Sequence, residues 1–174
     1  MYWFTADEHY NHFNMIEHAN RPFWAWKDMN ETMIKKHNER VQPSHTVFHV
    51  GDFKFGASGP NTHELTKMLN GNHVFIWGNH DRNNGTNTPL KYGIIKTYGL
   101  VILLAHHPEE ALMMMTNGGI DMAFTGHVHA NWKFRKNIVN VGVDVWDFYP
   151  VDAKQILKAY RNWEKGQDER WRGK

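Results

Sequence analysis

Seven residues in five short clusters have side chains suited to binding divalent metal ions. They are Asp7 and His9 in Asp7-Glu8-His9, Asp52 after Gly51, Asn79 in Gly78-Asn79-His80-Asp81, His106, and the pair His127 and His129 in Gly126-His127-Val128-His129. Taken singly each cluster is ordinary: Gly-Asp and Gly-Asn pairs are common turns, and a lone histidine at a strand end is usually a hydrogen-bonded loop residue. Together they supply what a pair of divalent ions about 3.5–4 Å apart requires, namely imidazole, carboxylate and amide oxygen, with room left for a substrate. Asp7 and His9 are two apart, so both can reach one ion from a loop. Asp52 stands alone on its loop, as a bridging carboxylate would, and Asn79 offers a neutral carbonyl oxygen. Two divalent ions set against two carboxylates and one hydroxide leave the site net positive, which suits a phosphate ester.

Composition agrees with such a site. Histidine occurs 13 times in 174 residues, and imidazole is the commonest metal-binding side chain. Cysteine is absent, which excludes disulfide scaffolds, thiolate zinc sites and thiol nucleophiles and is compatible with a reducing cytosol. A net charge of +2 gives no electrostatic case for nucleic-acid binding, though a nucleic acid is not excluded as substrate. No apolar stretch approaches the roughly 20 residues that span a bilayer, and no signal peptide is visible. Hydrophobic residues make up 41% and aromatics 14%, enough for the core of one domain over 1–174, with a polar tail at 166–174 expected to fray. A cytoplasmic protein acting on a small phosphate ester or nucleotide is the expectation; oligomeric state is not legible.

The elements that must position these clusters are short apolar runs, rich in β-branched and aromatic residues, at 2–6, 46–50, 74–77, 100–105, 122–125 and 138–143. Their composition predicts buried strands. Each of the first five stops at one of the clusters, and the sixth stops at Asp144. Helices are expected between them. Asp28 with Glu31 suggests a capping box ahead of an apolar face formed by Met29, Met33, His37 and Val41. Asn61 or Thr62 caps a helix carrying Leu65 and Leu69. Asp152 caps a C-terminal helix with Ala153, Ile156, Leu157, Tyr160 and Trp163 on one stripe. Strands alternating with helices imply an α/β layered fold, and such sheets bind ligands beyond the carboxyl ends of their strands, where the clusters fall.

In this order, Asp-x-His, Gly-Asp, Gly-Asn-His-Asp, a single histidine after a strand and Gly-His-x-His resemble the calcineurin-like metallophosphoesterase superfamily. The stretches Asp7-Glu8-His9-Tyr10-Asn11-His12-Phe13-Asn14, Asn20-Arg21-Pro22-Phe23 and Val141-Gly142-Val143-Asp144-Val145-Trp146 look like a small bacterial and phage branch of it, so the resemblance covers nearly the whole chain. It implies a four-layer α/β/β/α sandwich, with two central mixed β-sheets flanked by helices. It also implies one ion held by Asp7, His9, Asp52 and His129, and another by Asp52, Asn79, His106 and His127. His80 then corresponds to the residue that protonates the leaving group after a metal-bridging hydroxide attacks phosphorus. The ions are expected to be manganese first, with iron, zinc, cobalt or nickel accepted by the same mixed ligands.

Asp81 is adjacent to His80 and is the candidate to orient it. His12 and Arg21 are candidate substrate contacts. Arg82, Lys133 and Arg135 read more simply as solvated cations, and His107, beside Pro108, as structural. His18, His37, His45, His49, His63 and His73 lack a partner motif and read as structural or exposed. Phe53-Lys54-Phe55 follows Asp52 where phosphoprotein phosphatases of the superfamily continue Val-Asp-Arg-Gly. The missing arginine removes a clamp for a dianionic phosphate and favours a diester, such as a cyclic nucleotide or a nucleic-acid linkage. A phosphomonoesterase or nucleotide pyrophosphatase of the same fold is the nearest alternative. A non-catalytic metal-binding interaction module and a mononuclear two-histidine, one-carboxylate enzyme are the alternatives of other classes. The first should have lost ligands or the catalytic imidazole, yet every expected position is filled, and the second leaves ligands without a use.

Overall fold

A computed structural model describes residues 1–82 and 84–166. Beyond Gly166, the tail expected to fray lies outside the described residues. Two mixed sheets form the centre. In the first, β1 (Tyr2–Thr5), β2 (Thr46–Val50) and β3 (Asn72–Ile76) run parallel, and the short β9 (Val151–Asp152) pairs antiparallel with β1, in the order β3-β2-β1-β9. In the second, β5 (Leu100–Ala105), β6 (Met122–Thr125) and β8 (Ile138–Asn140) run parallel. The edge strands β4 (Tyr92–Thr97) and β7 (Phe134–Arg135) are antiparallel, giving the order β4-β5-β6-β8-β7.

Alternation along the strands explains the layering. Phe4, Val50 and Ile76 from the first sheet meet Ile102, Leu104, Phe124 and Val139 from the second in one buried cluster, and the Phe4 ring stands edge-on to Phe124 at 4.9 Å. The short α1 (Phe13–His18) follows the loop after β1. On the outer face of the first sheet, α2 (Trp26–Arg40) supplies Met29 and Met33 and α3 (Thr62–Met68) supplies Leu65, packed with Tyr10, Phe53 and Phe75. On the outer face of the second, α4 (Pro108–Met115) places Ala111 against Leu103, Ala105 and Ala123. The amphipathic α5 (Ala153–Glu164) inserts Ile156, Leu157 and Tyr160 into the core between the sheets. The result is the α/β/β/α sandwich of the calcineurin-like architecture.

Two capping expectations hold. Asn61 with Glu64 and Asp152 with Gln155 each form a reciprocal capping box. The third is corrected: α2 begins at Trp26 behind Ala25, and Asp28 lies inside its first turn, where its charge complements the helix dipole without capping. The sixth apolar run is also shorter than expected. Its strand ends at Asn140, and Val143–Val145 coil into a 3-10 turn that carries Asp144. Among the described residues no helix is long and apolar enough to cross a membrane.

Candidate metal centre

The carboxyl ends of β1, β2, β3, β5 and β6 converge on one face, and the loops leaving them carry the seven candidate ligands. The backbone there is unusual. Asp7, His9, Asp52, His127 and His129 all have φ between +46° and +73°, the left-handed region that costs a non-glycine residue roughly 1 kcal/mol or more. Local sequence would not choose these conformations, so tertiary bonds must hold them. The His127 N–H donates to both carboxylate oxygens of Asp7 at 3.0 Å, and the His80 N–H donates to Asp52 Oδ1 at 2.8 Å. Close approach needs glycine at Gly126, where a Cβ would stand 2.8 Å from Asp7 Oδ2.

With Oδ1 occupied by that N–H, Asp52 Oδ2 faces His9 Nε2 at 3.5 Å and His106 Nε2 at 3.3 Å. Asn79 Oδ1 lies 3.1 Å from both His106 Nε2 and His127 Nδ1. Ligand atoms of Asp7, His9 and His129 lie within 4.8 Å of one another, as do those of Asp7, Asp52 and His106. Two potential metal-binding clusters thus share the buried Asp7 carboxylate. Two of the imidazoles are oriented from behind, as metal-binding histidines usually are. His106 Nδ1 donates to the Val50 carbonyl at 2.9 Å, leaving Nε2 to face Asp52, and His129 Nδ1 meets Asp144 Oδ2 at 3.0 Å.

The donor set fits cations. Both ring nitrogens of His9 are buried without a hydrogen-bond partner, and burial holds its pKa well below the usual value, so a neutral lone pair faces the site. Burial raises Asp7 to about 6. Asp52 moves the other way: burial opposes its charge, but His106 and His9 outweigh that and pull its pKa down. Burial likewise opposes a charge on His106, yet the Asp52 and Asp7 carboxylates lift it to about 9. In the absence of metal the cluster recruits protons to balance its carboxylates, and bound cations would displace them.

The remaining candidates fall in different places. His80 is exposed, its ring centroid 5.4 Å from that of His9 and 5.5 Å from Phe55. His12 stacks on Phe55 at 4.0 Å and lies 5.4 Å from His9, at the rim. Asp81 is not joined to the His80 ring by any hydrogen bond among the described residues. Its carboxylate accepts the N–H groups of Asp52 (2.8 Å), Gly78 (2.8 Å) and Phe53 (3.1 Å) and the Asn84 amide, tying the β2 and β3 loops together.

Arg21 is not on the open face either. Its side chain is fully buried and all five N–H groups are used: Nε and Nη2 on Asp144 (2.8 and 3.0 Å), Nη2 on the Asp7 carbonyl (2.6 Å), and Nη1 on the Glu8 carbonyl (2.9 Å) and Met29 Sδ (3.3 Å). No donor remains for a substrate. Lys54, the cation beside the place of the missing arginine, is also buried, with its ammonium on the Gly56 carbonyl.

Two features escaped the sequence reading. His107 joins the site, its ring 4.4 Å from His127. Asp144, 15 residues away, supports His129, and the signals for it were its position at the end of an apolar run and its place in the stretch at 141–146.

No protein-family model matches the chain. The crystal structure of the protein of unknown function AQ665 from Aquifex aeolicus shares the fold, with a TM-score of 0.76 and 24% identity over 91% of this chain and 98% of that one. The uncharacterized protein MJ1445 of Methanocaldococcus jannaschii is 33% identical over 173 residues, covering 95% of this chain and 92% of the relative. At that identity and coverage, the chain belongs to the same family as MJ1445.

Proposed function

We propose that this protein is a two-metal phosphoesterase, and specifically a phosphodiesterase for a nucleotide or nucleic-acid-type diester. The observation that carries the reading is Asp52 Oδ2, 3.5 Å from His9 Nε2 on one side and 3.3 Å from His106 Nε2 on the other. A single oxygen between two ligand sets is the arrangement a bridging carboxylate needs. Asp7, His9 and His129 would complete one ion's set, and Asn79, His106 and His127 the other's. Ions held there supply Lewis-acid polarisation of the phosphoryl group and acidify water to make the nucleophile.

The chain's own residues supply the rest. His80 stands beside His9 with its ring unbonded among the described residues, so it can reach a leaving oxygen and donate a proton, a contribution of about 10²–10⁴ in rate. Asp81 fixes the loop that presents Asn79 and His80 through backbone amides rather than through the His80 ring. His12 lines the rim and is the remaining substrate-contact candidate. With Arg21 and Lys54 both committed, neither supplies a clamp for a dianionic monoester, which favours the diester. Manganese is the ion we expect from the mixed nitrogen and oxygen donors, and the cytoplasm the compartment from a chain without cysteine. Arg21 and Asp144, from two of the three stretches that look like the small bacterial and phage branch, meet in a buried pair, which supports placing the chain there.

The test is turnover of an aryl phosphodiester by wild type and Asp52→Asn with added manganese and with chelator. Metal-dependent turnover that Asp52→Asn abolishes is expected, and no turnover with any divalent ion would leave a binding module. His80→Ala against diesters with progressively poorer leaving groups tests the acid. Losses should grow as the leaving group worsens, and equal losses throughout would remove His80 from that role.

A further inference from the structure

His107 is the imidazole that the ligand sets above leave unused. It occupies the N-cap position of α4 directly after His106, yet makes no side-chain capping bond. Among the described residues no hydrogen bond or ion pair restrains its ring, although it is half-buried. A free imidazole is a poor way to begin a helix, where serine, threonine, asparagine or aspartate would satisfy an orphan N–H.

What His107 does contact is the metal centre. Its ring centroid is 4.4 Å from His127, at 60°, and 4.9 Å from His106, at 78°. One nitrogen from each of His106, His107 and His127 lies within 4.8 Å of the other two. Metal–nitrogen bonds of about 2.0–2.1 Å hold pairs of nitrogens up to roughly 4.2 Å apart, so a small side-chain rotation brings all three onto one ion. The ring also sits on a particular side. His106 is buried at 1% exposure, whereas His107 is half-buried and His127 exposed, so His107 lies on the solvent side of His106, the side from which a phosphate must approach.

We propose that His107 is a third imidazole ligand of the ion held by His106 and His127, on the face that a phosphate oxygen takes, so that His107 and phosphate compete for it. This rests on the two-ion reading above. The alternative role for an imidazole at that place, a direct hydrogen bond to phosphate, predicts the opposite effect on phosphate binding.

The experiment loads wild type, His107→Ala and His107→Asn with Co²⁺ and follows uptake, visible absorption and the binding of inorganic phosphate. Asparagine is a favoured N-cap, so His107→Asn keeps α4 intact should the alanine variant fold poorly. One of the two Co²⁺ ions should bind at least the roughly tenfold more weakly that even outer-shell changes cause, with the other unaffected. The cobalt absorption should change as a nitrogen ligand is lost, and phosphate should bind the loaded variants more tightly than wild type. Unchanged Co²⁺ affinity and spectrum, or weaker phosphate binding in both variants, overturns the proposal. A wild type that takes up a single Co²⁺ by elemental analysis overturns the two-ion reading itself, and the spectrum of His107→Asn then still reports whether His107 touches that ion.

Discussion

Replacing Asp144 by asparagine probes how the centre is held. The carboxylate receives Arg21 Nε on Oδ1 at 2.8 Å and Nη2 on Oδ2 at 3.0 Å, and Oδ2 also faces His129 Nδ1 at 3.0 Å. Asparagine keeps the outline and one acceptor, but its NH₂ opposes a donor. Side-chain exposure is 0% for Arg21 and 3% for Asp144, so water cannot replace the lost partner. Breaking a buried ion pair from one side costs about 3–5 kcal/mol, and with one hydrogen bond retained we expect about 3 kcal/mol. A second loss concerns metal. His129 would lose the carboxylate behind it, and such outer-shell changes weaken metal binding by about 10–100-fold, or roughly 1.4–2.7 kcal/mol. Only the ion held with Asp7 and His9 should suffer, because Arg21 and Asp144 touch Asp7, Glu8 and His129 but none of Asn79, His106 or His127. Urea unfolding in chelator measures the first cost, and manganese titration followed by paramagnetic resonance separates the two ions. A destabilisation below about 1 kcal/mol, or equal weakening of both ions, would refute the reasoning.

Two other perturbations follow from the packing. His37 is buried, bonds the Asn70 carbonyl through Nε2 at 2.8 Å, and is pushed by burial to a pKa of about 3. Below pH 6.5 the unfolded chain binds a proton that the folded one refuses, so stability falls as pH drops towards 3, by about 2 kcal/mol between pH 7 and 5. His37→Gln keeps a donor for Asn70 and should remove that much of the slope; urea midpoints with the same pH dependence as wild type would count against it. At Gly78 a Cβ would run into the Asp52 carboxylate and stand 2.9 Å from the Gly51 carbonyl carbon. Gly78→Ala should therefore cost roughly 1–3 kcal/mol and reduce metal content, and a fully loaded variant of unchanged melting temperature would contradict this.

What the sequence made legible was local. Apolar runs ending at Asp7, Asp52, Asn79, His106 and His127 marked strands because a buried parallel strand needs little beyond a short β-branched or aromatic run. Asn61 and Asp152 announced helices because an N-cap residue stands directly before the apolar stripe it starts, whereas the capping box read at Asp28 and Glu31 did not form. The edge strand β4 was missed for the complementary reason: Tyr92, Ile94 and Lys96 face out while Gly93, Ile95 and Thr97 turn half inward, so no continuous apolar run exists. Long-range pairing was beyond reach. Arg21 looks like any loop cation until Asp144, 123 residues later, folds against it, and Asp81 looks like a partner for its neighbour until backbone amides from two other loops occupy it. Likewise the sequence treats His49 and His73 as isolated, and only the parallel register of β2 and β3 brings them together.

That last pair bears on the charge of the centre. Glu8 lies between Asp7 and His9, and an ionised carboxylate there would cancel part of the positive field that attracts a phosphate. Burial instead raises Glu8 to about 8, and holds His49 near 3 and His73 near 4. A neutral Glu8 can donate to His49 Nδ1 at 2.6 Å, His49 Nε2–H to His73 Nδ1 at 2.9 Å, and His73 Nε2–H to the Leu69 carbonyl at 3.3 Å. Every donor in that series points the same way and no member carries charge, which is the arrangement a dry interior tolerates best. The carboxylates left to meet cations would then be Asp7 and Asp52, and an excess of metal charge over those two would draw in an anion. The buried His49 of β2 thus bears on the electrostatics of the candidate metal centre without touching it.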